Sequence, residues 1–291
     1  MKLAFSPCPN DTFIFHAWVH GLIPDAPVVG DSDIRYADID ITNGLAAGSD
    51  GPDVLKISYA ALPYVSPDYV LLSCGGALGR GCGPLVLSGA AAGDAAAPLI
   101  RNVRELSGKR VAIPSERSTA YLLFRLWAEQ QVPGGIGEMI VMPFDEIMPA
   151  LRDGRIDAGL VIHEARFTYP SYGLSLIADL GEWWEADTGL PIPLGAIIAR
   201  RTLDVERLEQ AIRASVAYAW EHPEASSAYV LQHAQEMDPE VARQHIALYV
   251  NEYSMNLGDG GYQAIDALLG RAARQGLLPA VRPEAIARRN T

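Results

Sequence analysis

The chain has 291 residues, about twice the ~150 residues of a typical domain, so it suits two domains or one large α/β unit. Hydrophobic residues make up 49% and charged residues 20%, an ordinary globular composition. Its 23 Lys and Arg against 35 Asp and Glu give a net charge of −12. This charge repels phosphate backbones, so we expect no nucleic-acid partner.

The first elements follow the order strand, polar turn and helix. The apolar segment 2–5 predicts a strand, and the turn 6–11 follows it. The dense apolar segment 12–22 predicts a buried helix capped by Asn10 or Asp11. This order is typical of the opening unit of an α/β fold.

The rest of the chain continues with strands and helices and then becomes helical. Further predicted strands lie at 54–59, 69–72, 84–87, 111–114, 140–142, 158–162 and 197–200. Further predicted helices lie at 121–127, 147–152, 204–221, 223–236, 239–252 and 261–275. The small-residue segment 88–98 predicts a loop, and the chain beyond Pro279 a loose tail. The glycine-rich run 75–83 lacks a phosphate-loop pattern and predicts a hinge or a close backbone approach.

This order predicts an α/β fold of two lobes with a ligand cleft between them. We expect residues 1–86 and 201–291 to form the first lobe, with the C-terminal helices, and residues 87–200 to form an inserted second lobe. Ligands in α/β folds bind beyond the carboxyl ends of strands and often at domain interfaces. The turns that follow strands, at 6–12, 56–59, 115–120 and 163–166, are therefore expected to line the cleft.

The number of cysteines and the first residues of the chain indicate in which cellular compartment the protein is expected. Three cysteines without a CxxC pair are too few for a disulfide framework. Pro7 and Pro9 interrupt the start of the chain before a signal peptide's apolar stretch could form, and no apolar run approaches the ~20 residues of a membrane span. We expect a soluble cytoplasmic protein without a membrane partner.

His163 is the titratable residue that most suggests catalysis. It directly follows the apolar strand 158–162, where an α/β protein presents side chains to its ligand. The unperturbed histidine pKa of about 6.5 suits a general base at neutral pH. The alternative is a histidine that only hydrogen-bonds the end of the strand.

Two other segments carry polar groups suited to an anionic ligand. Ser118 and Thr119 open a helix, where backbone N–H groups and two hydroxyls can bind a carboxylate or a phosphate. The alternative is that one of them only caps the helix. Lys56 and Ser58 flank Ile57 in a strand and project to one face, which suits an anionic or hydroxyl-bearing ligand unless that face meets solvent.

Six unusual motifs are spread over nearly the whole chain. They are SPCPNDTF at 6–13, KISY at 56–59, SCGGALGRG at 73–81, IHEARFTY at 162–169, GEWW at 181–184 and GLPIPLG at 189–195. Together they resemble the 1,4-dihydroxy-6-naphthoate synthase family, which forms the naphthoate of the futalosine route to menaquinone.

The resemblance implies a fold similar to type II periplasmic solute-binding proteins. It also implies conversion of cyclic dehypoxanthinyl futalosine into 1,4-dihydroxy-6-naphthoate, with loss of a three-carbon dihydroxyacetone fragment. By the family pattern, His163 is the proton acceptor. The substrate-binding segments would be Lys56-Ile57-Ser58 and Ser118-Thr119, where the serine replaces the first of two threonines in the family pattern.

The expected activity is that of a cofactor-free carbon–carbon lyase, because no metal cluster or nucleotide loop is apparent in the sequence. Its expected partner is a small-molecule carboxylate substrate, and the oligomeric state stays open, with a homodimer among the options. Two other functions also stay open: a non-catalytic cytoplasmic solute-binding protein and the related chorismate dehydratase of the same pathway. The missing signal peptide argues against the first, and the His163-Glu164 segment favours the synthase over the second.

Overall fold

The computed structural model describes residues 1–89, 100–234 and 238–286, which form two α/β units. Of the predicted loop 88–98, residues 90–98 lie outside the described residues, as do 287–291 of the predicted tail and 235–236 of one predicted helix. Among the described residues, no helix combines the length and the apolar character needed to cross a bilayer.

Eleven strands and twelve helices are found in the described residues. The strands are β1 Leu3–Phe5, β2 Ile34–Tyr36, β3 Val54–Ser58, β4 Tyr69–Leu71, β5 Ala77–Gly79, β6 Leu85–Ser88, β7 Arg110–Ile113, β8 Glu138–Val141, β9 Ala158–Val161, β10 Ser175–Asp179 and β11 Ile192–Arg200. The helices are α1 Pro9–Val19, α2 Ile39–Ala46, α3 Leu62–Val65, α4 Thr119–Gln131, α5 Phe144–Arg152, α6 Ala165–Thr168, α7 Leu180–Thr188, α8 Val205–Glu221, α9 Ser227–His233, α10 Pro239–Tyr249, α11 Glu252–Met255 and α12 Gly258–Arg274.

Unit 1 comprises residues 1–79 and the chain from Pro193 onward. Its sheet has the strand order β2-β1-β3-β11-β4, and β5 pairs with β11. Strand β1 is parallel to both of its neighbours, whereas β11 is antiparallel to β3 and β4. Helix α1 is buried along its whole length, and its Phe15 and Trp18 share one hydrophobic core with Ile212 of α8. This core fixes the start of α1 relative to β3.

Unit 2 comprises Arg80–Ile192. Its sheet has the order β10-β6-β9-β7-β8, with β7 parallel to β8 and β9 and β6 antiparallel to β9 and β10. Helix α5 packs closely on β9, because a Cβ added to Gly159 would lie 2.5 Å from Cγ2 of Ile147. The end of β9, from which the chain enters the His163 turn, is therefore held by a tightly packed layer.

The unit boundaries follow Gly79 and Ile192, earlier in the chain than the predicted 86 and 200. The reason is strand pairing. Strand β6 pairs with β9 and β10, which places it in unit 2, and the first residues of unit 1 after the boundary belong to β11, which pairs with β3. Strands β2, β5 and β10 and helices α2, α6, α7 and α11 are among the elements that the sequence did not predict.

Two local predictions are wrong. Helix α1 begins at Pro9, with Cys8 at the N-cap position, so neither Asn10 nor Asp11 caps it. The segment beyond Pro279 is not all loose, because a 3-10 turn at Pro283–Ile286 buries Ala285 completely. The close backbone approach predicted for the glycine run is confirmed at Gly83, where an added Cβ would lie 2.1 Å from the Gly181 nitrogen.

Candidate functional site

Strand β3 of unit 1 carries the predicted segment Lys56-Ile57-Ser58 in a fully buried setting. Lys56 is 3% exposed and Ser58 is 2% exposed, which excludes a face turned toward solvent. Ile57 is completely buried. Both polar side chains of this segment therefore need partners other than bulk water.

The charge of Lys56 is balanced by Asp11, an ion-pair partner that sequence reasoning missed. The Lys56 ammonium donates to Oδ1 of Asp11, and both side chains are buried. The same oxygen accepts from Nδ2 of Asn10 at 2.8 Å, and Oδ2 accepts from the Ser6 N–H at 3.3 Å. Asp11 lies in the first turn of α1, where the helix dipole favours a carboxylate. It thus ties the 6–11 turn to β3.

Ser58 is fixed by two hydrogen bonds to Asn43 of α2. The Ser58 N–H donates to Oδ1 of Asn43 at 2.8 Å, and Nδ2 of Asn43 donates to Oγ of Ser58 at 3.1 Å. Because the amide donates to the hydroxyl oxygen, the hydroxyl proton of Ser58 is directed elsewhere and can serve a ligand as a donor. Sequence reasoning missed Asn43 because helix α2 itself was not predicted.

Gly195 gives Lys56 the space to reach Asp11. It lies opposite Ser58 in the pairing of β11 with β3, and an added Cβ would be 2.6 Å from Cε of Lys56. Gly195 ends the GLPIPLG motif. A side chain here would displace the lysine, which is a packing reason for the glycine.

Ser118 and Thr119 lie at the start of α4 in unit 2, as predicted. Ser118 is the N-cap residue: its Oγ accepts from the Tyr121 N–H at 3.1 Å and donates to the Ser115 carbonyl at 3.0 Å. Thr119 is the first helical residue and is buried. The structure therefore gives Ser118 the capping role that the sequence offered as an alternative.

His163 lies in unit 2 just beyond β9, in a turn with unusual backbone geometry. Its φ is +57°, in the left-handed region that non-glycine residues adopt infrequently, although histidine does so more often than most. Its partly buried ring meets the edge of Phe144, with ring centroids 5.2 Å apart and planes 63° apart. Backbone strain of this kind clusters at functional sites.

The arginines near the motifs are engaged within unit 2. Arg166 pairs with Asp179 and donates to the Gly83 carbonyl at 2.6 Å. Arg80 reaches Glu185 at 3.4 Å and the Gly189 carbonyl at 2.9 Å. These contacts give both guanidinium groups a role in holding the chain.

Cys74 and Trp184, which lie in the motifs, and Cys82, which follows one, have packing roles. Burial raises the pKa of the Cys74 thiol and of the Cys82 thiol to about 12, so neither is a nucleophilic thiolate at neutral pH. Trp184 is completely buried and donates from Nε1 to the Pro191 carbonyl at 2.9 Å.

The predicted site residues are thus distributed over both units. Unit 1 brings Lys56 and Ser58 together with Asp11 and Asn43. Unit 2 carries Ser118 and Thr119 on α4 and His163 on the turn after β9. Within each unit taken by itself, the described His, Cys, Asp and Glu side chains form no group of three close enough to share a metal ion.

Known proteins resemble this chain over nearly its full length. A family model described as "Menaquinone biosynthesis" matches residues 1–274. A Streptomyces coelicolor protein is 62% identical over 290 residues, covering 99% of this chain and 98% of the relative. A Thermus thermophilus protein is 45% identical over 287 residues, covering 97% and 98%. Both relatives are named 1,4-dihydroxy-6-naphthoate synthase.

Solved structures show the same fold. A crystal structure of an Archaeoglobus fulgidus protein matches with a TM-score of 0.80 and 33% identity, covering 95% of this chain and 98% of that one. The alkanesulfonate-binding protein SsuA from Xanthomonas axonopodis matches with a TM-score of 0.70 and 16% identity, covering 99% and 98%. At that identity the likeness shows the fold alone.

These findings confirm the predicted fold class, a two-unit α/β fold of the periplasmic-binding-protein type. The chain belongs to the menaquinone biosynthesis family. It is an enzyme, a lyase, and the alternative of a non-catalytic solute-binding protein is set aside.

Proposed function

We propose that this enzyme converts cyclic dehypoxanthinyl futalosine into 1,4-dihydroxy-6-naphthoate and releases dihydroxyacetone, with His163 as the general base. One observation carries the proposal: 62% identity over nearly the full length to a relative named for that product. The IHEARFTY motif around His163, which resembles the family pattern, supports the choice of base.

The proposed reaction suits a histidine base. Cleavage of a carbon–carbon bond that generates an aromatic ring is favourable in its later stages, and what it needs is removal of a proton at the right place. A positioned base contributes on the order of 10²–10⁴-fold in rate. His163 lies at the end of a buried strand, and Phe144 limits the orientation of its ring. Such a placement favours a fixed direction of proton transfer.

The substrate carboxylate is proposed to bind at the start of α4 rather than at Lys56. The charge of Lys56 is already balanced by Asp11. Helix α4 has 13 residues, and the N–H groups of its first turn, with the Thr119 hydroxyl, suit an anion. Because its hydroxyl already caps α4, Ser118 would contribute mainly by holding this turn in place.

The β3 segment is proposed to bind uncharged polar groups of the substrate. Asn43 donates to Ser58 and directs the Ser58 hydroxyl proton away, so Ser58 would act as a donor to a substrate oxygen. Lys56 and Ile57, which are both buried, would hold this segment in place.

The experiment is incubation of the purified enzyme with cyclic dehypoxanthinyl futalosine and, in parallel, with chorismate. We expect 1,4-dihydroxy-6-naphthoate and dihydroxyacetone in equal amounts from the first, detected by mass spectrometry, and no change in the second. Dehydration of chorismate with an unchanged futalosine derivative would instead assign the dehydratase activity.

A further inference from the structure

The turn that carries the proposed base is held from its C-terminal side by Arg166. His163 adopts a left-handed backbone conformation that a non-glycine residue keeps only where its surroundings hold it. The backbone N–H of Arg166 donates to the His163 carbonyl at 3.3 Å, which closes the turn. The side chain of Arg166 then decides where this closed turn lies in unit 2.

The Arg166 guanidinium makes two contacts in different directions. One terminal nitrogen donates to the Gly83 carbonyl at 2.6 Å, and the other pairs with Oδ2 of Asp179. The Arg166 side chain is 17% exposed and that of Asp179 only 4%, so solvent screens the pair little. A planar guanidinium with two fixed acceptors defines a position and an orientation, which a single-point charge would not do.

Both acceptors of Arg166 belong to rigid parts of unit 2. The other oxygen of Asp179 caps helix α7 by accepting from the N–H groups of Gly181 at 2.8 Å and Glu182 at 3.3 Å. The backbone of Gly83 lies directly against that of Gly181. Arg166 therefore connects the His163 turn to the junction of β10 and α7. Asp179 cannot move there without breaking the cap of α7, and Gly83 cannot move without losing its backbone contact with Gly181.

We propose that Arg166 and Asp179 are positioning residues for His163, a role that rests on the proposed function of His163 as the base. The guanidinium fixes the turn from one side, and the edge of Phe144 limits the imidazole ring from another. When the two guanidinium contacts of Arg166 are lost, the backbone at His163 can relax toward an unstrained φ. The imidazole ring then moves away from the position from which it would remove the proton. Neither residue contacts the substrate in this account.

The test compares two conservative variants. Asp179→Asn keeps the cap on α7, because asparagine caps as well as aspartate, but removes the charge opposite Arg166. Arg166→Lys keeps the charge but cannot reach both Gly83 and Asp179. We expect each variant to lower kcat on the order of 10- to 100-fold, as loss of a supporting residue or a displacement of a reacting group does. KM should stay unchanged, because the binding segments at 56–58 and 118–119 are not altered.

The matched control is Asp157→Asn, which breaks the Arg110–Asp157 pair at 3.3 Å elsewhere in unit 2. We expect it to leave kcat unchanged. Circular dichroism at the assay temperature establishes that each variant is folded. A folded Asp179→Asn or Arg166→Lys enzyme with unchanged kcat, or with raised KM and preserved kcat, would overturn the proposal.

A double variant separates this inference from the proposed function. If Arg166 and Asp179 act through His163, Asp179→Asn adds no further loss to His163→Asn, because the base is already absent. An additional loss would show that Asp179 acts by another route. Full turnover by the His163→Asn enzyme would contradict the role of His163 as the base. An inactive His163→Asn enzyme together with a fully active Asp179→Asn enzyme would contradict only the positioning role.

Discussion

The β3 segment of unit 1 and the His163 turn of unit 2 hold their polar groups by different means. In β3, regular strand geometry positions Lys56 and Ser58, and buried partners on α1 and α2 satisfy them. In the His163 turn, the backbone of His163 is left-handed and its ring is partly buried. The turn is held by the ion pair of Arg166, three residues further on, with Asp179. The first arrangement suits a fixed binding surface, and the second suits a group that must be aimed at one proton.

Replacement of His163 is the change expected to have the largest effect. His163→Asn and His163→Ala should each reduce kcat on the order of 10²–10⁴-fold, because the base is lost. Asparagine tolerates the left-handed conformation better than alanine, so His163→Asn should be the more stable of the two. Product formation and calorimetric substrate binding should be measured separately. Near-normal turnover by either variant would contradict the assignment.

Removal of one partner of the buried ion pair tests the fixed surface of unit 1. Asp11→Asn should lower the free energy of unfolding by roughly 3–5 kcal/mol, because it leaves the Lys56 charge buried without a counter-charge. Urea unfolding measures this change. In the double variant Asp11→Leu with Lys56→Met, both charges are absent and much of the stability should return.

The control for the ion pair is Glu240→Gln, which breaks the exposed Glu240–Arg243 pair of α10 in the same unit. Solvent screens that pair, so the urea midpoint should change little. An Asp11→Asn protein as stable as Glu240→Gln would show that the buried pair does not hold the 6–11 turn on β3.

The two residues at the start of α4 should separate stability from binding. Ser118→Ala should cost about 1 kcal/mol of stability because the helix loses its cap. Thr119→Ala should raise the dissociation constant for the substrate, because the Thr119 hydroxyl is proposed to contact the substrate carboxylate. Calorimetry on both variants checks this. Equal substrate affinity in the wild type and in Thr119→Ala would show that the substrate carboxylate does not bind at the start of α4.

The smallest effect concerns pH and a histidine cluster on α1 and α9. Burial, with a further contribution from His20, lowers the pKa of His16 and of His233 below about 6.5. As the pH falls below about 6.5, the unfolded chain therefore takes up protons at these two histidines more readily than the folded protein does. Their contribution to stability is complete above about pH 6.5 and is lost as the pH falls below that value.

Urea unfolding at pH 7.5 and at pH 5.5 tests this dependence. The wild type should be less stable at the lower pH, and the double variant His16→Asn with His233→Asn should lose less between the two values. An equal loss in both proteins would assign the pH dependence to other groups.

The sequence located the candidate residues better than it described their environments. The sequence pattern was enough to place Ser58 on a strand and His163 just beyond one. The partner of Lys56 lies 45 residues away in the chain, and no local pattern encodes such a pairing. Likewise, three-residue strands such as β2 are too short to show an alternation of polar and apolar side chains.

The backbone conformation of His163 illustrates the same limit. Nothing in the residues around it marks a positive φ, since the usual signal is a glycine. The conformation follows from tertiary contacts that form only when the unit is folded. Among them are the contacts of the Arg166 guanidinium with Gly83 and Asp179.

A crystal structure of the enzyme with bound 1,4-dihydroxy-6-naphthoate tests the central claim most directly. The account predicts an imidazole nitrogen of His163 within about 3 Å of an atom of the bound molecule, and the naphthoate carboxylate on the first turn of α4. A bound molecule whose every atom lies beyond reach of that ring would contradict His163 as the base.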